Sequence, residues 1–177
     1  MTHQQRVALA RVMADLIKSD EIIDVSEMEF FISIRDRYRI EAEHLIAAQQ
    51  IDFGMAVEAL QGLPNDELAS LMSHLREMTL ADGNCVAEEA FLLMALEYCL
   101  SPKRAGRARL LSTSVTNICI EKRNIVYTET EYDADTNRAL QSALRTLGSE
   151  FKLAGLQFVY MPQLSQDFCD MESDYLT

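Results

Sequence analysis

Two stretches of this chain, about sixty residues apart, share one pattern: Asp20-Glu21-Ile22-Ile23-Asp24-Val25-Ser26-Glu27 and Asp82-Gly83-Asn84-Cys85-Val86-Ala87-Glu88-Glu89. In each, an Asp closes one amphipathic segment and a Glu follows seven residues later, early in the next. A helix–acidic turn–helix unit that occurs twice is an internal repeat at domain scale. Two such units packed face to face bring two sets of carboxylates together, and clustered carboxylates repel unless something positive sits among them.

The periodicity around the turns is helical. Leu9, Val12, Met13, Leu16 and Ile17 form one apolar stripe over 5–19, the i, i+3, i+4 rhythm of a half-buried helix. Asp24 and Glu27 stand at capping-box spacing, which opens a second helix running to about Arg39. That helix carries Met28, Phe30, Phe31, Ile32 and Ile34 around much of its circumference, so it is expected to be central and largely buried. Shorter helices are expected over 41–49 and 52–62, before the break at Gly62-Leu63-Pro64-Asn65. From Asp66 the rhythm resumes through Leu68, Leu71, Met72, Leu75 and Met78. After the second acidic turn it continues through Phe91, Leu93, Met94, Leu96 and Tyr98, stopping before Ser101-Pro102.

Beyond residue 102 the chemistry changes. Lys103-Arg104-Ala105-Gly106-Arg107-Ala108-Arg109 reads as a basic linker, extending over 103–114 and lying across the acidic half. Ile118 and Ile120, then Ile125 and Tyr127, alternate as strands do, with a turn at 121–124. A helix is expected from Asp135 to Gly148, with Gly148 ending it, and a strand over 156–160. The fold class is therefore α+β. An all-α half carrying the duplicated helix pairs (1–102) precedes a small α/β extension (115–177), which reads as an incomplete domain, the start of a larger one or a part completed by a partner.

Charge narrows the function. Of a formal net charge of -12, residues 1–100 carry 18 Asp+Glu against 7 Lys+Arg. An acidic half of this kind disfavours nucleic acid, whose binding needs Lys and Arg on phosphates, and suits cations or basic proteins. The four cysteines show neither C-x-x-C nor matching His spacing, which argues against a zinc ribbon and for reduced thiols. No apolar run is long enough for a membrane span or signal peptide, so the expected location is cytoplasmic. His3, His44 and His74 fall one per region and read as surface or half-buried helix residues. No nucleophile motif or phosphate loop occurs, so an enzyme is not expected.

The candidate ligands for a metal are Asp20, Glu27, Asp82 and Glu89, with Asp24, Glu88 and Asn84 as helpers. Oxygen donors of this kind suit a hard divalent cation, Ca²⁺ or Mg²⁺, although the spacing excludes an EF-hand. Turn formation and N-terminal capping account for the same residues without any ion.

With these residues in view the chain resembles the TerB-like tellurite-resistance domain over residues 4–101. The second copy, Leu80-Ala81-Asp82-Gly83 through Glu88-Glu89-Ala90-Phe91-Leu92-Leu93, is similar to that family's A-D-G-x-x-x-x-x-E-x-x-x-L form. The first copy differs in having Glu21 where Gly is usual, so the two turns need not be equivalent. The resemblance implies a pseudo-two-fold helical bundle, metal binding through the acids of both turns, and a role as an interaction module in stress-response complexes. The expected function is a non-enzymatic, cation-responsive interaction module. The alternative is a metal-independent adaptor whose acidic face docks a basic protein partner or its own following domain.

Overall fold

The computed structural model describes residues 1–19, 25–81, 83, 85–100, 118–127 and 134–160. Its elements are α1 (His3–Ser19), α2 (Val25–Tyr38), α3 (Ala42–Ala48), α4 (Phe53–Leu60), α5 (Asn65–Thr79), α6 (Ala87–Leu100), β1 (Ile118–Glu121), β2 (Asn124–Tyr127), α7 (Ala134–Leu153) and β3 (Gln157–Tyr160). It is a helical bundle with a small α/β extension. The basic segment 103–109, the rest of the expected linker to 114, and residues 161–177 lie outside the described residues.

The helix at the centre of the bundle is α1. Val7, Ala8, Leu9, Ala10, Val12, Met13 and Leu16 are all buried, and α1 packs against α2, α3, α4, α5 and α6. Its first turn is closed by a reciprocal capping box: Gln5 N donates to Thr2 Oγ1 at 3.2 Å, and Thr2 N to Gln5 Oε1 at 2.8 Å. The second helix of the second repeat, α6, is buried almost all round, with Ala90, Phe91, Leu92, Met94, Ala95 and Leu96 in the core.

The expectation for α2 is overturned. Only Glu27 and Ile34 of this helix are buried, and Phe31 and Tyr38 on the same stripe are half-buried. The centre of the bundle is taken by α1, which leaves α2 one contact stripe against α5 and α1. The rest of its apolar circumference faces outward.

The β1–β2 hairpin turns where the alternation places it. Glu121 pairs with Asn124, and Lys122 and Arg123 both take positive φ, 48° and 68°, as a tight two-residue hairpin requires. Parallel pairing of β2 with β3 across α7 completes a three-stranded sheet in the order β1-β2-β3. Ile125 and Val126 are adjacent in β2 and both buried, so both faces of the central strand are covered.

One boundary differs from expectation. Gly148 lies inside α7, which runs on to Leu153. The chain turns out of the helix at Gly155 (φ 78°), where Leu156 N donates to Phe151 O at 2.9 Å and Gly155 N to Lys152 O at 3.0 Å. A mid-helix glycine costs about 1 kcal/mol relative to alanine, less than the burial of Phe151 one turn later contributes. Phe151, Leu144, Ala143, Leu140, Ile125 and Ile120 belong to the same core cluster as α1, α4 and α6.

Polar ties fix these packings. Arg11 of α1 pairs with Asp15 at 2.7 Å and with Glu150 of α7 at 3.6 Å, and its guanidinium also donates to Ile51 O. Glu150 accepts Phe53 N at 3.3 Å and Asp52 caps α4 through Met55 N at 2.9 Å. Burial holds the Asp15 carboxyl above its usual value, and Arg11 opposes that shift. Burial also pushes the Cys99 thiol up to about 11, which leaves it protonated and inert at neutral pH.

The contact between α2 and α5 includes Tyr38 Oη and His74 Nδ1, 3.0 Å apart. Burial, then the neighbouring Arg37, lower the His74 pKa below 6.5, and Glu77 opposes them. A depressed folded value means that the folded protein resists protonation here. The stability it contributes is full above the ordinary value and is lost as pH falls through the folded one. The melting midpoint is expected to fall more between neutrality and about pH 5 in the native chain than in His74→Gln. Equal slopes would remove His74 from the acid response.

Candidate functional site

Glu27 and Glu89 occupy the same place in the two repeats, the third residue of α2 and of α6. They are 3% and 2% exposed. Glu89 Oε2 accepts Val86 N at 3.0 Å, a reach back to the residue before the helix that satisfies one otherwise unbonded donor. Glu88 beside it is half-buried. The other candidate ligands, Asp20, Asp24 and Asp82, lie outside the described residues, as does Asn84. Among the described residues, Glu27, Glu88 and Glu89 do not by themselves make a three-ligand group.

The two repeats differ in how they cover their second helix. On α2, Val25, Met28 and Ile32 recur at i, i+3 and i+7, so they share one face. They are 75%, 37% and 40% exposed. The corresponding residues of α6 include Ala90 and Met94, at 3% and 1%, on a helix against which α7 packs. The apolar face that the second repeat buries is therefore open in the first. Exposed Glu29 and the exposed Arg35–Asp36 pair (2.8 Å) border this stripe. On the other side of α2 a cavity of about 330 Å³ is lined by Met1, Arg6, Arg37, Tyr38, Arg39, Glu67 and Ser70.

His3 is exposed and His74 half-buried, as expected, but His44 departs from expectation. His44 is buried, at 2%, and it meets His3, whose ring centroid is 4.7 Å from its own. Glu43 completes a cluster in which one donor atom of each residue lies within 4.8 Å of the others. Sequence spacing gave no sign of this, because the contact depends on α1 packing against α3.

No helix among the described residues is long and apolar enough to cross a membrane. In comparisons with protein-family models, curated proteins and solved structures, nothing matches this chain.

Proposed function

We propose that this chain is a non-enzymatic interaction module of the TerB-like kind, which docks a basic amphipathic helix of a protein partner on the open face of α2. The observation that carries this reading is the asymmetry of the repeats. Met28 and Ile32 stand exposed at the positions where Ala90 and Met94 are buried in the helix packed by α7. A helix is the fitting occupant because a helix, α7, is what packs on the equivalent element. A basic one fits because residues 1–100 hold 18 acidic against 7 basic side chains. Apolar contact supplies the affinity, and charge supplies steering.

The test uses a labelled Leu/Lys amphipathic helical peptide and the full chain. Ile32→Glu with Val25→Glu is expected to weaken binding by about tenfold or more, with stability changed by no more than about 0.5 kcal/mol because both sites are exposed. Both substitutions add negative charge, so attraction by charge alone predicts tighter binding. Tighter or unchanged binding would sink the proposal.

This module works without metal if Glu27 and Glu89 are helix caps, as the Val86 N–H bond to Glu89 supports. The cation-responsive form is the second reading, favoured by the equal burial of the two glutamates beside turns rich in Asp. In that form a Ca²⁺ or Mg²⁺ ion relieves carboxylate repulsion and fixes the face that α2 presents. A melting midpoint that rises with either ion, and no longer does so in Glu27→Gln with Glu89→Gln, identifies the cation-responsive form. No rise with either ion leaves the adaptor.

A further inference from the structure

His44 is held in a way that leaves one nitrogen unmet. Its Nδ1 accepts the backbone N–H of Glu41 at 2.9 Å, so the neutral ring carries its proton on Nε2. That Nε2 is buried and has no hydrogen-bond partner, a condition folded proteins avoid. It faces Glu43, whose Oε1 is 3.9 Å away, and the same Oε1 is 3.8 Å from His3 Nδ1. The cluster lies where α1 meets α3, with His3 opening α1 behind its Thr2–Gln5 capping box.

We propose that His3, Glu43 and His44 form a binding site for a borderline divalent transition metal, Zn²⁺ being the type. This site is separate from the acidic turns. Two imidazoles and one carboxylate are donors that such ions accept, whereas Ca²⁺ and Mg²⁺ take oxygens. Bonds of about 2.0–2.2 Å in a tetrahedron put donors roughly 3.3 Å apart. The cluster must therefore contract, by about half an ångström for the pairs at 3.8 and 3.9 Å and by up to about 1.5 Å for the widest pair, which lies within 4.8 Å. The exposed side chains supply that movement, since His3 and Glu43 are 61% and 66% accessible while His44 is 3%.

Binding requires a change of tautomer. The metal takes the Nε2 lone pair, the ring proton moves from Nε2 to Nδ1, and the Glu41 N–H bond to Nδ1 is given up. Nδ1–H and the Glu41 N–H cannot bond each other, so the start of α3 must shift until each finds another acceptor. No proton leaves His44 in the exchange. Three protein ligands leave the fourth position to water or to an outside donor, and loading ties the start of α1 to the start of α3.

The experiment titrates the full chain with Zn²⁺ near pH 7.5 and follows Co²⁺ uptake by its visible absorption. One equivalent is expected to bind, with visible bands on cobalt typical of low coordination. His3→Gln and Glu43→Gln, both at exposed positions that leave the fold intact, are each expected to weaken binding by about tenfold, and His44→Gln to abolish it. Glu27→Gln with Glu89→Gln is expected to leave zinc uptake unchanged, which separates this site from a cation at the acidic turns. Absence of uptake, or uptake unaltered by His3→Gln together with Glu43→Gln, would overturn the assignment.

Discussion

Phe151→Ala is expected to destabilise the whole chain by about 3–5 kcal/mol, the helical bundle included. Phe151 is 2% exposed and meets Phe53 edge-on, with centroids 5.9 Å apart and planes at 63°. Removing it leaves a cavity between α7 and α4 and forfeits an aromatic pair that adds to simple burial. The effect reaches the bundle because Phe53 is fully buried in the core that α1, α4 and α6 share. Urea unfolding followed by far-ultraviolet circular dichroism reads out all the helices at once. A single transition moved to lower urea is the expected result. Two transitions, with the larger one unmoved, would mean that α7 and its sheet unfold independently of the bundle.

Gly54→Ala tests the other side of the same contact and is expected to cost about 1–3 kcal/mol. A Cβ at this position would collide with the carbonyl oxygen of Leu153 and lie 2.7 Å from its carbon. Both are backbone atoms at the end of α7, so relief requires moving one helix relative to the other. The close approach has a physical basis: the last carbonyls of α7 come up to the first turn of α4, negative end to positive end. Gly148→Ala is the control. It lies inside α7, and its Cβ would meet nothing within 4 Å, so a gain of about 0.5–1 kcal/mol is expected. Opposite signs at two helical glycines on either side of this interface would establish the α4–α7 contact by thermal melts alone. A neutral Gly54→Ala would contradict it.

Much of the helical half was legible. The apolar spacing of Leu9 to Ile17 and of Leu68 to Met78 fixes the buried faces of α1 and α5, because those residues repeat at the period of a helix with one inward side. The repeat spacing that put Glu27 and Glu89 early in α2 and α6 was also readable, since it needs only seven residues of local chain. The hairpin at Lys122-Arg123 follows from alternation and from charged residues that tolerate a turn.

Other features were not legible, and each depends on what lies opposite. Residue content made α2 look like the central helix. Its neighbours decide otherwise, because one position at the centre exists and α1 fills it. The end of α7 was placed at Gly148 by local propensity, while the packing of Phe151 on Phe53 carries the helix on to Leu153. His44 reads as one of three scattered histidines until α3 packs on α1 and brings it beside His3.

The sequence by itself determined the helices and strands of the described residues, the inward faces of α1 and α5 and the acidic balance of residues 1–100, because periodicity and charge are properties of near neighbours along the chain. The tertiary structure alone decided which apolar face stays open on α2, and which histidines and carboxylate share a site. Those depend on contacts between segments far apart in sequence, and no local pattern encodes which segment will lie across from which.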